Sequence, residues 1–238
     1  MDDKIQQFKR LVNESDNIVF FGGAGVSTES GIPDFRSKDG LYNQQYKYPP
    51  ETILSHTFFL NKTEEFFKFY KLKMNSLKYQ PNITHIKLSE LEIRGKLKAV
   101  ITQNIDGLHQ KAGSKVVYEL HGSVLRNYCM NCHKFYDAEY VFNSNGIPRC
   151  SCGGIIKPDV VLYEEGLDEE TIENSTDAIQ KADLLIVAGT SLTVQPASGL
   201  INFFRGRNLV LINRDSTPYD NKANLVINDS LGKVFSNL

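Results

Sequence analysis

Three short blocks of the sequence carry glycines and polar side chains suited to phosphate binding and proton transfer. The first is GAGVSTESGIPDFRS, residues 23 to 37, which directly follows an apolar run. Gly23 and Gly25 let the backbone turn tightly and approach a phosphate, and we expect the amides of a following helix N-terminus to point at that anion. Ser27 and Thr28 add hydroxyl donors. Taken alone, such a glycine turn is more often a simple entry into a helix.

The same block departs from the dinucleotide fingerprint G-x-G-x-x-G. Thr28 stands where the third glycine would be, and no acidic residue closes the next strand to bind a ribose, which disfavours a hydride-transferring dehydrogenase. Beside this loop lie a rigid turn, an acid, an aromatic ring and a cation, provided by Pro33, Asp34, Phe35 and Arg36. A purely structural loop rarely concentrates such groups, so the block favours a ligand site.

The second block, TQNIDGLHQKAG at residues 102 to 113, follows another apolar run. Open α/β sheets bind their ligands at the carboxyl ends of the strands. Gln103, Asn104 and Asp106 offer amide and carboxylate groups suited to ribose hydroxyls and a carboxamide, although Asp106 is equally typical of a turn or helix cap. We expect His109 on a helix surface, without a role.

The third block, ELHGS at residues 119 to 123, places His121 at the end of a further strand. An ordinary histidine pKa of about 6.5 suits proton abstraction near neutrality, and the following glycine leaves access for a substrate. A lone histidine is more often a packed or solvated residue. The case for His121 as a base therefore depends on its neighbours.

The four cysteines form two close pairs that predict a structural metal site. Cys129 and Cys132 have the spacing Cys-x-x-Cys, and Cys150 and Cys152 have the tighter spacing Cys-x-Cys. Four thiolates suit a tetrahedral zinc that leaves no open position for substrate, so this zinc should stabilise the fold rather than catalyse. The alternative is four free or redox-active thiols, with His133 as a substitute ligand.

The elements that must position these residues alternate between short apolar runs and helix-like segments. This pattern predicts a doubly wound parallel, Rossmann-like sheet covered by helices. The strands are expected at 17–23, 97–104, 115–122, 182–189 and 208–213, with a possible edge strand at 224–228, and helices at 83–94 and 168–180. Segments 41–80 (helical) and 123–154 (zinc-binding ribbon) break the alternation and predict a smaller inserted domain, which leaves 1–40, 81–122 and 155–238 for the nucleotide-binding domain.

Composition excludes several classes of function. The formal net charge is -1, so no basic field would attract nucleic acid. No apolar run is long enough to cross a bilayer, and the first residues lack the pattern of a signal peptide, so we expect no membrane association and a cytoplasmic location. The sequence leaves the oligomeric state open and is compatible with a monomer.

Several strings together resemble the sirtuin family, which comprises NAD-dependent protein-lysine deacylases, and they are most similar to the bacterial members. They follow the family's order and approximate spacing across nearly the whole chain: GAGVST, GIPDFR, TQNIDGLHQKAG, ELHG, the two cysteine pairs, KPDVVLYEE and GTSLTVQPA. Several independent strings in one order make chance a poor explanation.

The resemblance implies an NAD site. Pyrophosphate, ribose and nicotinamide contacts are implied for Gly23, Ala24, Gly25, Ser27, Thr28, Asp34, Phe35, Arg36, Gln103, Asn104, Ile105, Asp106, His121, Gly189, Thr190, Ser191 and Asn213. Within this set, Ile105 and Asp106 resemble the pair that holds nicotinamide, and Phe35 resembles the aromatic residue that shields the reactive sugar.

The resemblance also implies the reaction. The acyl-lysine oxygen attacks the nicotinamide ribose, nicotinamide leaves, and the acyl group is transferred to ADP-ribose. His121 is then the general base, with Asn104 and Arg36 as further catalytic residues. The peptide would add as a strand beside Val160, Val161 and Tyr163.

Two positions bear on substrate preference. Glu164 stands where the family commonly has glycine, which puts peptide preference in doubt. Phe67 and Tyr70 align with the Tyr and Arg of family members that prefer acidic acyl groups, so a neutral acyl group such as acetyl is favoured.

Three other functions are less consistent with the sequence. Transfer of ADP-ribose to a protein uses the same activated sugar, but the HG motif and the acyl-lysine strand argue for deacylation. A non-catalytic sensor of NAD or ADP-ribose would be expected to lack His121 or the Asn104 and Asp106 pair, and all three are present. A zinc-dependent nucleic-acid module conflicts with the charge balance.

Overall fold

A computed structural model describes residues 2–34 and 46–238 of the chain. Among these residues, six parallel strands form one sheet in the order β3-β2-β1-β7-β8-β9. They are β1 (Ile18–Gly22), β2 (Leu97–Thr102), β3 (Val117–Glu119), β7 (Leu184–Ala188), β8 (Asn208–Ile212) and β9 (Leu225–Ile227). This order is that of a doubly wound Rossmann-like sheet, and the predicted fold class is confirmed.

Helices cover both faces of this sheet because its central strands are apolar on both sides. Every residue of β1 and β7 is buried. Across the described residues the α-helices are α1 (Asp2–Glu14), α2 (Pro50–Ile53), α3 (His56–Asn61), α4 (Thr63–Lys73), α5 (Ile83–Ile93), α6 (Leu108–Lys111), α7 (Ala138–Asn143), α8 (Glu169–Lys181) and α9 (Leu231–Phe235). The helices that cover the sheet include α1, α5, α8 and α9.

Two apolar clusters join the helices to the sheet. On one face, α1, α5 and α9 contribute Phe8, Leu88 and Phe235 to a cluster with alternate residues of the strands. On the other face, α8 contributes Ile179, and a 3-10 segment at Ala197–Phe203 contributes Leu200.

A side-chain cap sets the start of α8. Asp168 precedes this helix and accepts a hydrogen bond from the Thr171 amide at 2.8 Å.

A second, antiparallel sheet has the strand order β5-β4-β6. Its strands are β4 (Gly122–Cys129), β5 (Phe135–Asp137) and β6 (Ile156–Val160). Helices α2, α3 and α4 share a third apolar cluster with this sheet, in which Phe66 and Tyr70 lie with Val124 and Ile156. The helical segment and the cysteine-containing segment therefore share one core, separate from the two clusters of the large sheet.

The two sheets meet where β3 continues into β4 through Leu120 and His121. Gly122 has a φ of 73°, and a Cβ there would collide with the Asp159 carbonyl, so only glycine fits this crossing. The Val161 amide donates to the His121 carbonyl at 3.0 Å. These contacts place the end of β6 directly beside His121.

An apolar span of membrane length is not found in any helix of the two described ranges, 2–34 and 46–238.

Candidate active site and metal centre

The glycine loop after β1 packs backbone to backbone against the loop after β7. The Gly25 amide donates to the Gly189 carbonyl at 2.8 Å, and a Cβ at Gly25 would lie 2.7 Å from the Gly189 Cα. Gly189 itself has a φ of 61°. Side chains are excluded from both positions, which allows a ligand to approach residues 23–25 closely, although the Gly23 and Gly25 amides already donate to Ala188 and Gly189.

The loop differs from the expectation in one respect. Residues Ala24–Val26 and Thr28–Ser30 form two single 3-10 turns, not the N-terminus of an α-helix. Gly31, with a φ of 91°, ends the second turn. The Thr28 hydroxyl donates to the Gly25 carbonyl at 3.0 Å and so supports the turn itself.

A buried amide pair lies beside these loops. The Thr190 amide donates to Asn213 Oδ1 at 2.9 Å, and the Thr190 hydroxyl donates to Gln103 Oε1 at 3.0 Å. The side-chain nitrogens of Gln103 and Asn213 are buried and have no hydrogen-bond partner among the described residues. Buried amide donors are normally paired, so these two fit the hydroxyls and phosphate oxygens of a dinucleotide.

A second polar group joins the glycine loop to the end of β2. Ser27 donates to Asp106 Oδ2 at 2.6 Å, and Asn104 Nδ2 donates to Ser27 Oγ at 3.1 Å. The Leu108 amide donates to the other Asp106 oxygen at 2.9 Å. Burial raises the pKa of Asp106 above its usual value, and the hydrogen bonds from Ser27 and Leu108 oppose this rise. The carboxyl group is thus held at the mouth of the same loop.

His121 is held in one orientation by backbone. Its Nδ1 lies 2.9 Å from the Gln103 carbonyl, which can only accept, so Nδ1 carries the proton and Nε2 of the neutral ring is the free base. Burial lowers the pKa of His121, and the hydrogen bond to Gln103 partly offsets that effect. The neutral, basic form is therefore the stable one near neutrality.

The residues implied for substrate binding lie at the end of β6 and in the segment that follows it, beside His121. Val160 is buried, Val161 is half-buried and Tyr163 is 42% exposed. The Tyr163 amide donates to the Leu54 carbonyl at 3.0 Å, which ties the segment to the helical module. The three residues form a continuous stretch that starts beside His121.

Glu164 adopts a backbone conformation that favours glycine. Its φ is 79°, a region that costs a non-glycine residue about 1 kcal/mol. Its carboxylate accepts a hydrogen bond from the Thr57 amide at 2.9 Å, at the start of α3. The side chain that replaces the family's common glycine thus gains a helix-capping contact in a strained conformation.

The structure brings most of the implied residues to one edge of the sheet. The loops after β1, β2 and β7 meet through Gly25, Ser27, Gln103, Asp106 and Thr190, and Asn213 follows β8 at the same edge. Ser191 is exposed beside them, where its hydroxyl lies 2.8 Å from that of Thr193. Phe35 and Arg36 lie outside the described residues.

One expectation was wrong. His109 is 1% exposed and lies inside the protein, with its ring 4.7 Å from that of His85. Its helix, α6, is covered by α5, so the side chain that we expected on a helix surface is buried.

The four cysteines form one cluster with the geometry of a zinc site. Their sulfur atoms all lie within 4.8 Å of one another, and three of the sulfur pairs are 3.5 Å apart. A tetrahedral zinc with Zn–S bonds of about 2.3 Å requires sulfur separations of about 3.8 Å. The donor set therefore fits structural zinc, and His133, exposed with a φ of 56°, does not belong to the cluster.

Two side chains with evident roles gave no sequence signal. Arg126 pairs with Glu119 of β3 at 2.6 Å and with Asp159 of β6 at 2.7 Å, so it ties the two sheets together beside His121. Tyr136 donates to Cys150 Sγ at 3.0 Å. Neither residue lies in a motif, because both act on partners distant in the chain.

Fold and site together define a class of protein. It is a doubly wound α/β protein with a glycine loop, an amide pocket and a base at one sheet edge, and with a four-cysteine module inserted beside them. The Sir2 family matches residues 23–196 of this chain. The chain belongs to the Sir2 family, and the resemblance to sirtuins is confirmed.

Curated relatives and solved structures agree with this assignment. The NAD-dependent protein deacetylase of Clostridium perfringens is 63% identical over 238 residues, covering 98% of each chain. That of Clostridium acetobutylicum is 63% identical over 236 residues, covering 98% of this chain and 96% of the relative.

Two solved structures are similar over almost the whole chain. A Sir2 variant with a deacetylated p53 peptide and 3'-O-acetyl ADP ribose has a TM-score of 0.90 at 38% identity, covering 98% and 96% of the two chains. A Sir2 complex with a p53 peptide and NAD+ has a TM-score of 0.86 at 39% identity, covering 98% and 95%.

Proposed function

We propose that this protein is an NAD-dependent protein-lysine deacetylase that transfers the acetyl group of a modified lysine to ADP-ribose and releases nicotinamide. Curated relatives at up to 63% identity carry the name NAD-dependent protein deacetylase, and similar solved Sir2 structures contain peptide with NAD+ or acetyl ADP ribose. The observation that carries the proposal is His121, oriented with a free Nε2 beside both the amide pocket and the end of β6.

NAD supplies an activated C1′ on its nicotinamide ribose, from which nicotinamide can be displaced. We propose that the loop of residues 23–25 lies against its pyrophosphate and that Thr190 and Ser191 contact its phosphates or ribose. Gln103 and Asn213 would donate their unpartnered amide nitrogens to its hydroxyls or phosphate oxygens. Asp106, held by Ser27, would face the carboxamide with Ile105.

His121 would act as the general base for the transfer step. Nε2 takes a proton from a ribose hydroxyl, while the Gln103 carbonyl keeps the proton on Nδ1 and stabilises the ring when it becomes positively charged. Asn104, fixed through Ser27, would position the attacking hydroxyl or a water molecule. Phe35 is proposed to shield the reacting sugar, and Arg36 is proposed as a further catalytic residue.

The protein substrate is proposed to bind along the segment after β6. An extended peptide that adds beside Val160 and Val161 takes its affinity largely from main-chain hydrogen bonds, which suits substrates of varied sequence. Tyr163 would flank the lysine. Phe67 and Tyr70 align with the Tyr and Arg of family members that prefer acidic acyl groups, and neither residue carries a positive charge, which supports a neutral acyl chain.

The zinc would be structural, held by the four thiolates away from the base. We further propose that the small domain comprises residues 41–80 and 123–154. We also propose that the protein is cytoplasmic, because its four cysteines form no disulfide and a reducing compartment preserves such cysteines.

The decisive experiment incubates the metal-loaded protein with acetyl-lysine and succinyl-lysine peptides, with and without NAD, and follows the products by mass. We expect free lysine, nicotinamide and acetyl ADP-ribose only with NAD, and faster reaction of the acetyl peptide. His121→Ala should lower turnover roughly 100- to 10,000-fold while NAD binding is largely retained. His133→Ala, an exposed histidine, is the matched control. ADP-ribose attached to protein without deacetylation would contradict the proposal.

A further inference from the structure

The two cysteine pairs of the metal centre differ in how many backbone amides donate to the first sulfur of the pair. In the first pair, Cys129 Sγ accepts hydrogen bonds from the Asn131 amide, at 3.4 Å, and from the Cys132 amide. This pair has two residues between its ligands, so the loop is long enough to fold two N–H groups back onto the first sulfur.

The second pair has one residue fewer between its ligands, and its first sulfur accepts from one amide fewer. Cys150 Sγ accepts from the Cys152 amide, while the Gly154 amide donates to Cys152 Sγ instead. Cys150 Sγ also accepts from the Tyr136 hydroxyl at 3.0 Å, which is much closer than Ser151 Oγ at 3.9 Å. The same oxygen accepts from the Ser151 amide at 3.3 Å, so it lies inside the short loop that joins the two ligands.

Tyr136 is held in this position by the sheet and by a neighbouring ring. It lies in β5 and is in register with Asn127 of β4, the strand that carries Cys129. Its ring lies 4.7 Å from that of Tyr140 in α7. The phenol is therefore placed by the fold and not by the cysteine loop itself.

We propose that Tyr136 is a positioning residue of the metal centre, which supplies the sulfur hydrogen bond that the short Cys-x-Cys loop cannot. Four thiolates around one Zn²⁺ carry a net charge of about -2, and hydrogen bonds to sulfur spread that charge and keep each thiolate bound. The phenol donates to Cys150 and accepts from Ser151. With this bond, the first sulfur of the Cys-x-Cys pair accepts two hydrogen bonds, as the first sulfur of the Cys-x-x-Cys pair does.

Tyr136→Phe tests the donor and leaves the ring in place. Loss of an outer partner of a metal ligand typically lowers metal affinity roughly 10- to 100-fold, so zinc transfer to a chromophoric chelator should accelerate by about 10-fold or more. Tyr140→Phe is the matched control, because the Tyr140 hydroxyl donates to the Arg149 carbonyl and not to sulfur. It should release zinc at close to the wild-type rate.

Cobalt substitution gives a spectroscopic readout of the same bond. A hydrogen bond lowers the energy of sulfur lone pairs, so its loss in Tyr136→Phe should move the thiolate-to-cobalt charge-transfer band to longer wavelength. Tyr140→Phe should leave the band unchanged. A Tyr136→Phe band and zinc release rate identical to wild type would overturn the proposal.

Lengthening the loop tests whether the phenol replaces an amide. Inserting one glycine between Ser151 and Cys152 creates a Cys-x-x-Cys pair, in which a second backbone N–H can reach Cys150. In the protein with the inserted glycine, Tyr136→Phe should no longer accelerate zinc release. If Tyr136→Phe alone folds poorly, the glycine insertion should restore its folding and metal binding. A variant with both changes that folds or retains metal no better than Tyr136→Phe alone would contradict the inference.

Discussion

The orientation of His121 depends on one backbone hydrogen bond. The Gln103 carbonyl follows β2 and His121 follows β3, so the register of two neighbouring parallel strands determines which ring nitrogen is basic. A carbonyl acceptor fixes the tautomer without adding a negative charge, and burial therefore lowers the pKa of the ring. The result is an imidazole that is already neutral near pH 7, as the proposed general base would need to be.

This environment predicts the acid limb of the pH profile. Since burial lowers the His121 pKa below 6.5, the active neutral form should persist as the pH falls from 7.5 toward 6.5 and be lost only below that value. A plot of kcat/KM against pH for the acetyl peptide should show a midpoint below 6.5 and a plateau above it. A midpoint above 6.5 would contradict this assignment.

The residual activity of His121→Asn provides the control for this profile. Asparagine cannot titrate, so the acid limb should be absent from the slow reaction that remains. Persistence of the limb would assign it to another group, such as Asp106, whose pKa burial raises.

At the scale of the elements, the contact between α5 and α6 buries two histidines. His85 caps its own helix, since its Nδ1 accepts from the Asn82 amide at 3.2 Å. His109 packs against it, and neither nitrogen of His109 has a hydrogen-bond partner among the described residues. Burial lowers the pKa of His85 to about 4. Burial also lowers the pKa of His109 well below 6.5, and repulsion from His85 adds to this effect whenever the His85 ring is protonated.

This pair predicts destabilisation in mild acid. Both rings are neutral in the folded protein, while the unfolded chain binds protons below pH 6.5, so folding is progressively disfavoured from pH 6.5 down to about 4. Each ring contributes up to about 1.4 kcal/mol per pH unit in this window. Urea unfolding at pH 7 and pH 5 measures the effect.

His109→Phe is the informative variant, because the ring makes apolar contacts with Phe20 and no described hydrogen bond is lost. Its stability should fall less steeply between pH 7 and pH 5 than that of the wild type. An unchanged pH dependence would place the acid sensitivity elsewhere in the fold.

On the scale of the whole molecule, the three apolar clusters differ in their relation to the metal centre. Cys129 and Cys150 belong to the cluster that holds α4 and the antiparallel sheet, so the metal centre and this core are continuous. The two clusters of the large sheet contain none of the four cysteines. Zinc should therefore stabilise one part of the molecule selectively.

Removal of zinc by a strong chelator should loosen that part alone. Amide hydrogen exchange should show lost protection in β4, β6 and α4, because these elements share a core with the cysteine ligands, while β1 and β7 remain protected. Adding zinc back should restore the original pattern. Equal loss of protection in both sheets would show that the metal supports the protein as a single cooperative unit.

Local sequence determined the strands, the loops that end them and the zinc ligands. Short apolar runs that alternate with helix-like segments favour buried parallel strands, the glycine and polar blocks follow those runs directly, and a cysteine pair brings its own ligands together whatever surrounds it. For the same reason, the family could be inferred from short strings in order, and the comparisons confirm it. The assignment of individual site residues and of domain boundaries remains a prediction.

Tertiary structure alone decided how distant residues combine. The order of the strands brings Gly25 against Gly189 and the Gln103 carbonyl against His121, and α5 buries a histidine that its own helix would have left exposed. Arg126 and Tyr136 acquire partners only when separate strands pair. Such contacts join residues far apart in the chain, and no local pattern records them, because their energy arises only when the elements pack.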